Sequence, residues 1–151
     1  MAPDRLRPPL RRPPKDLDAL VDWFEQVSYQ LVLIAEDPLD DVRTAVESFA
    51  SAVLVHCEAA ARRPATGSDA SEPARILRAD HAWFVTSVDQ LRWFFRVVER
   101  EDHGGNRQAL GQYGRIFAEA FRRHRQDEAR SSGTKDGPVA AAGRSPPRSA
   151  Y

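Results

Sequence analysis

Between residues 16 and 130 the apolar side chains recur in steps of three and four, and no segment alternates in steps of two. That is the pattern of helices with one buried face. After Asp16, a good N-cap, the first run sets Leu17, Leu20, Phe24, Val27, Leu31 and Ile34 on one seam. Asp37 followed by Pro38 reads as an N-cap with proline at the first helical position, closing one helix and opening the next. The second run carries Leu39, Val42, Val46, Phe49, Val53, His56 and Ala60. Ser71, Glu72 and Pro73 restart a helix after a Pro/Gly/Ser/Thr-containing stretch, and Leu77, His81, Phe84, Val88, Leu91, Phe95 and Val98 follow without a break. Beside this third seam lie Ile76, Trp83, Phe94 and Val97, so the apolar face is wide enough for two neighbours.

At His103-Gly104-Gly105-Asn106 the period stops, with glycine suited to a left-handed C′ position and Asn106 to the next N-cap. Leu110, Tyr113, Phe117, Phe121 and His124 form the last seam, which runs straight through Gly114. One continuous helix therefore accounts for more residues than a helix-turn-helix broken at that glycine. Helices are predicted at about 17–36, 38–61, 72–102 and 107–129. Two of the three connections are short, which favours antiparallel neighbours and an all-α, up-and-down four-helix bundle. Its rival is a helical dimer that completes its core between chains, because Trp83 and Phe94 need cover.

The ends are different in composition. Residues 1–15 hold five prolines and five basic residues against one acid, and residues 131–151 are rich in Ser, Gly, Pro and Ala without a period. Neither can bury enough apolar surface to offset chain entropy, so both are expected to be disordered tails flanking a folded domain at 16–130. The string PPLRRPP in the first tail suits polyproline II.

Charge adds a partition that the zero net total hides. Residues 16–61 sum to −9 and residues 62–130 to +3, so the first hairpin is acidic and the second mildly basic. Mutual attraction of the two hairpins is the simplest use of that layout. Arg92, Arg96 and Arg100 nevertheless recur every four residues beside Trp93, a strip suited to a partner surface or to phosphates. Gly104, Gly105, Asn106 and Arg107 form a candidate anion-binding turn at a helix start.

The single Cys57 excludes an intramolecular disulfide and a CxxC redox motif. No Walker loop, GxGxxG, GxSxG, HExxH or EF-hand loop occurs. No apolar run approaches a membrane span and no signal peptide is read, so a cytoplasmic protein without a membrane partner is expected. What remains are three histidines in seam positions. His56 near the end of helix two, His81 early in helix three and His124 near the end of helix four fall at one end of an up-and-down bundle. With Asp22 of helix one as the carboxylate, they are the candidate metal ligands, and zinc is the ion they suit. The paired Glu-x-x-His segments of di-iron bundles are lacking.

Without catalytic motifs, the sequence reads as a small non-enzymatic bundle acting in macromolecular interaction or regulation, through a protein partner or self-association. A metal-binding bundle built on the histidines and a nucleic-acid-binding protein using the basic arms and the arginine strip are the alternatives.

Overall fold

A computed structural model describes residues 12–33, 37–63 and 71–136. They form four helices: α1 (Leu17–Leu33), α2 (Leu39–Ala61), α3 (Glu72–Arg100) and α4 (Gly104–Asp136). Each helix packs on two neighbours in the ring α1–α2–α3–α4, with none crossing the diagonal at the backbone level. The architecture is the expected all-α four-helix bundle. Residues 1–11 and 137–151, including most of both expected tails and the start of PPLRRPP, lie outside the described residues, as do Ile34 and 64–70.

The helix ends differ from the expected ones in instructive ways. Asp16 does cap α1, its carboxylate accepting from the Ala19 amide at 3.0 Å, and Ser71 caps α3 through the Ala74 amide. At α2 the cap is Pro38, whose carbonyl accepts from the Asp41 and Val42 amides, while Asp37 is buried one residue before it. At α4 the cap is His103, not Asn106: the ring Nδ1 of His103 accepts from the Asn106 amide, and Gly104 and Gly105 are already helical. No left-handed glycine ends α3; the Asn106 side chain instead donates to the Glu101 carbonyl at 2.8 Å. The last helix also runs on through Asp136, beyond the expected end near 129, and it is unbroken at Gly114.

Stacked aromatic rings fill the middle of the bundle. Phe49 lies parallel to Phe24 at 4.1 Å and meets Phe117 edge-on at 5.0 Å, while Phe84 meets Phe121 at 5.2 Å. Such pairs add to the burial of large rings. The charge partition is used across the helix seams: Arg92 bonds Glu47 between α3 and α2, while Arg122 reaches Asp22 and Glu25, and Arg125 reaches Asp18, between α4 and α1; Arg43, the one base of the acidic hairpin, pairs the other way, with Glu99 of α3.

The α1–α4 seam is unusually close because two glycines of α4 face it. A Cβ on Gly111 would sit 2.5 Å from the Ser28 carbonyl oxygen and 3.0 Å from both Leu31 Cβ and Val32 Cγ2. Alanine at Gly111 gains about 1 kcal/mol of helix propensity but must push backbone apart, so a net loss of about 1–2 kcal/mol is expected. Urea unfolding of Gly111→Ala that matched or exceeded the parent in stability would contradict this close approach.

Candidate metal centre

At the end of the bundle where α1 begins, the aromatic core gives way to imidazoles. Phe84 and Phe121 form the floor: Phe84 lies 5.1 Å from the His124 ring and Phe121 lies 5.4 Å from the His56 ring. Above them α2 supplies His56, α3 supplies His81 and α4 supplies His124 with Glu128, four residues later on the same helical face. One ligand atom from each of the four lies within 4.8 Å of all the others.

The contacts within the group are short. His124 Nε2 is 2.5 Å from Glu128 Oε1 and 2.9 Å from His81 Nε2, and His56 Nε2 is 2.7 Å from that same Glu128 oxygen. A ring nitrogen carries one hydrogen or one lone pair. His124 Nε2 therefore cannot make full hydrogen bonds to Glu128 and to His81 together. A cation at the focus of the three nitrogens and the carboxylate oxygen would satisfy all four lone pairs at once. Zinc at roughly 2.0–2.1 Å from four tetrahedral donors sets them about 3.3 Å apart. The close pairs would have to open by less than about 1 Å and any pair as wide as 4.8 Å to close by about 1.5 Å, movements within reach of side-chain rotation.

The surroundings suit a metal in two further respects. The other nitrogen of His124, Nδ1, lies 3.0 Å from the Asp80 carboxylate, so an Nδ1–H donated to Asp80 leaves the Nε2 lone pair facing inward. A carboxylate behind a ligating histidine holds the ring in that tautomer and raises its basicity. The side chain of His124 is 1% exposed, and those of His56 and Glu128 are 10% and 13% exposed, so the donors are shielded without being sealed.

Protonation is divided unevenly among Glu128, His124 and His81. Burial opposes charge on Glu128, but hydrogen bonds from His124 and His56 hold its carboxyl well below the ordinary range. Burial also opposes charge on His124, yet its bonds to Glu128 and Asp80 carry its pKa above the ordinary value. His81 is moved down, by burial first and then by the neighbouring His124 charge. Cys57 sits beside the group with its thiol donating weakly to the His81 carbonyl at 3.8 Å. Burial and then Glu128 push that thiol up to about 11, so at neutral pH it is protonated.

The structure thus brings His56, His81 and His124 together, but not Asp22. That residue lies on the outside of α1, two-thirds exposed and bound to Arg122 at 2.8 Å, because no side chain of α1 enters the group. Its place is taken by Glu128, which sequence reasoning missed. The signal was the His-x-x-x-Glu spacing from His124, which puts both side chains on one face.

The other candidates lie elsewhere. Trp93 is exposed, with its ring edge-on to Phe94; Arg92 is held by Glu47, while Arg96 and Arg100 are exposed. The anion-binding turn does not form as expected, since Arg107 is buried and turned inward to Asp102 and the Asp37 carbonyl. No family model matches the chain, and no curated protein or solved structure does so either.

Among the described residues no helix is long and apolar enough to cross a membrane.

Proposed function

We propose that this protein is a helical metal-binding protein, with one zinc ion held by His56, His81, His124 and Glu128. The observation that carries the reading is the convergence of three imidazole nitrogens and one carboxylate oxygen within 4.8 Å, on an aromatic floor, from three different helices. Imidazole with carboxylate is a donor set suited to zinc and its first-row neighbours. Four protein donors complete a tetrahedral zinc, so its first role is to fasten α2, α3 and α4 at one end of the bundle.

Elemental analysis of untagged protein purified without chelator tests this, followed by zinc reloading against a competing chromogenic chelator. About one equivalent per chain is expected, lost in the combined His56→Ala, His81→Ala, His124→Ala variant and in Glu128→Ala. Uptake that is equally weak in the parent and in these variants would end the reading.

A role in macromolecular interaction is favoured by a separate observation, the exposed indoles of Trp83 and Trp93 on α3. Nucleic-acid binding through the arginine strip has less behind it, because Arg92 is already bonded to Glu47.

A further inference from the structure

The close α1–α4 seam has an open counterpart on the other side of α1. Gly111 and Gly114 let α1 lie against α4, while the α2 residues facing its first turns include the small Ser51, Ala52 and Ala59. Small side chains opposite a helix that is held elsewhere leave space unfilled. The result is a groove of about 440 Å³ between the start of α1 and the end of α2, walled by Leu17 and Leu20 on one side and by Ala52, Val55 and Ala59 on the other. Val55 is 66% exposed there, more than any other large apolar side chain among the described residues. Of the acids, lysines and arginines, Lys15 alone lines the groove, at the end where the chain enters α1, and no described acid pairs with it. The acids beside the groove are engaged: Asp16 accepts from the Ala19 amide as the cap of α1, and Glu58 leans to Arg62 at 3.9 Å. Arg12, three residues before Lys15, and Arg62, three after Ala59, add positive charge at the same end. His56 contributes to the wall, but its Nε2 is taken by Glu128, which leaves Lys15 as the cationic anchor.

We propose that this groove binds an apolar monocarboxylate, its head on Lys15 and its chain along Leu17, Leu20, Val55 and Ala59. Apolar walls with a cation at one end match such a molecule part for part. The chain is removed from water against the walls, and the carboxylate meets an ammonium that no acid of the protein neutralises. From Ala59 to Ser51 the groove runs about 12 Å at 1.5 Å per residue, the length of a chain of about eight to ten carbons. An apolar cation of the same length would fill the walls equally well but be opposed at Lys15. Because the groove is open along its outer side, part of the chain stays wet, and a dissociation constant on the order of 0.1 mM is expected. The site goes beyond the zinc reading and does not rest on it, since its anchor and apolar walls include no proposed zinc ligand.

Calorimetric titration of the full chain with decanoate tests the proposal, with decyltrimethylammonium as the apolar cation of equal chain length. Saturable binding of about one decanoate per chain is expected, with the cation at least about tenfold weaker. Lys15→Glu, at an exposed position before α1, should weaken decanoate at least about tenfold by setting a like charge against its head. Ala59→Trp, whose new ring would occupy the groove from an exposed position, should weaken it as much, with helical circular dichroism unchanged in both variants. Val85→Trp, on exposed α3 surface, should bind like the parent, and prior treatment with chelator should make no difference. Absence of saturable binding up to about 2 mM overturns the proposal, as does a cation bound as tightly as decanoate. Binding that resists Lys15→Glu or Ala59→Trp, yields to Val85→Trp, or requires metal overturns it as well.

Discussion

Zinc added to the metal-free protein is expected to raise its thermal midpoint by roughly 10–20 °C when free zinc stands about a thousandfold above the dissociation constant. Binding to the folded state alone then contributes about 4 kcal/mol, and a domain of this size moves by several degrees per kcal/mol. His124→Ala and Glu128→Ala should lose the shift, since each removes a donor from the focus of the group. Asp80→Asn should keep a shift but weaken zinc binding by about 10–100-fold, because a neutral amide replaces the carboxylate that accepts from His124 Nδ1–H and raises the basicity of the ring. The pH dependence has a definite sign. Glu128 is held ionised and His81 is moved towards its neutral form, while the raised pKa of His124 keeps a proton on that ring to higher pH than on an ordinary histidine, and zinc must displace it. Affinity should therefore increase with pH by up to about tenfold per unit until that raised value is passed. In the metal-free protein the same residue acts in reverse: the stability it contributes is complete below the ordinary histidine pKa and is lost as pH rises through its folded value. The gap between the zinc-loaded and metal-free melting curves should widen as pH rises through the raised His124 value. Scanning calorimetry showing no shift, or an equal shift in Glu128→Ala, would refute this account.

Replacing Arg107 by alanine is expected to cost about 2–4 kcal/mol, without any effect on zinc. The guanidinium side chain is only 7% exposed and grips Asp102 in a two-point fork, Nε to Oδ1 at 2.6 Å and Nη2 to Oδ2 at 2.9 Å. Its remaining nitrogen, Nη1, donates to the Asp37 carbonyl, joining the α3–α4 turn to the segment just before α2. Truncation leaves a buried carbonyl without that donor and a carboxylate without its counter-charge. Asp102 is 43% exposed and can rehydrate, which keeps the expected loss below that of a fully buried pair. Arg107→Lys retains charge but not the fork, so it should recover only part of the loss. The fork holds the Asp102 carboxyl below its ordinary pKa, so this contribution is present above the unfolded carboxyl value and disappears as pH falls through the folded one. Urea unfolding with a loss under about 1 kcal/mol would mean the fork is solvated and replaceable.

The two sets of residues behind these predictions were unequally legible. The seams of all four helices were written in the spacing of Phe24, Phe49, Phe84 and Phe117, because burial on one helical face leaves a period. The three histidines stood out for the same reason, as polar residues in positions the period reserves for the core. Glu128 did not, since it lies in a charged run, Arg122 to Arg130, in which nothing separates an inward carboxylate from solvated ones until the neighbouring helices are in place. Asp22 failed for the complementary reason: being at the right level of the bundle says nothing of the direction in which α1 is rotated. Arg107 looked like a surface cation at a glycine turn. Its burial depends on Asp37, 70 residues away, a distance over which sequence pattern has no reach.

Because α1 contributes no donor to the centre, a zinc ion held there would divide the molecule by rate of opening. The amides of α2, α3 and α4 beneath the imidazoles would exchange with solvent deuterium only through events that release zinc. Those of α1, held by Phe24, Val27 and Leu31 against its neighbours, have a route that leaves the centre intact. Zinc would then slow exchange in three helices far more than in the first, and α1 would become the most readily detached part of a bundle otherwise locked at that end.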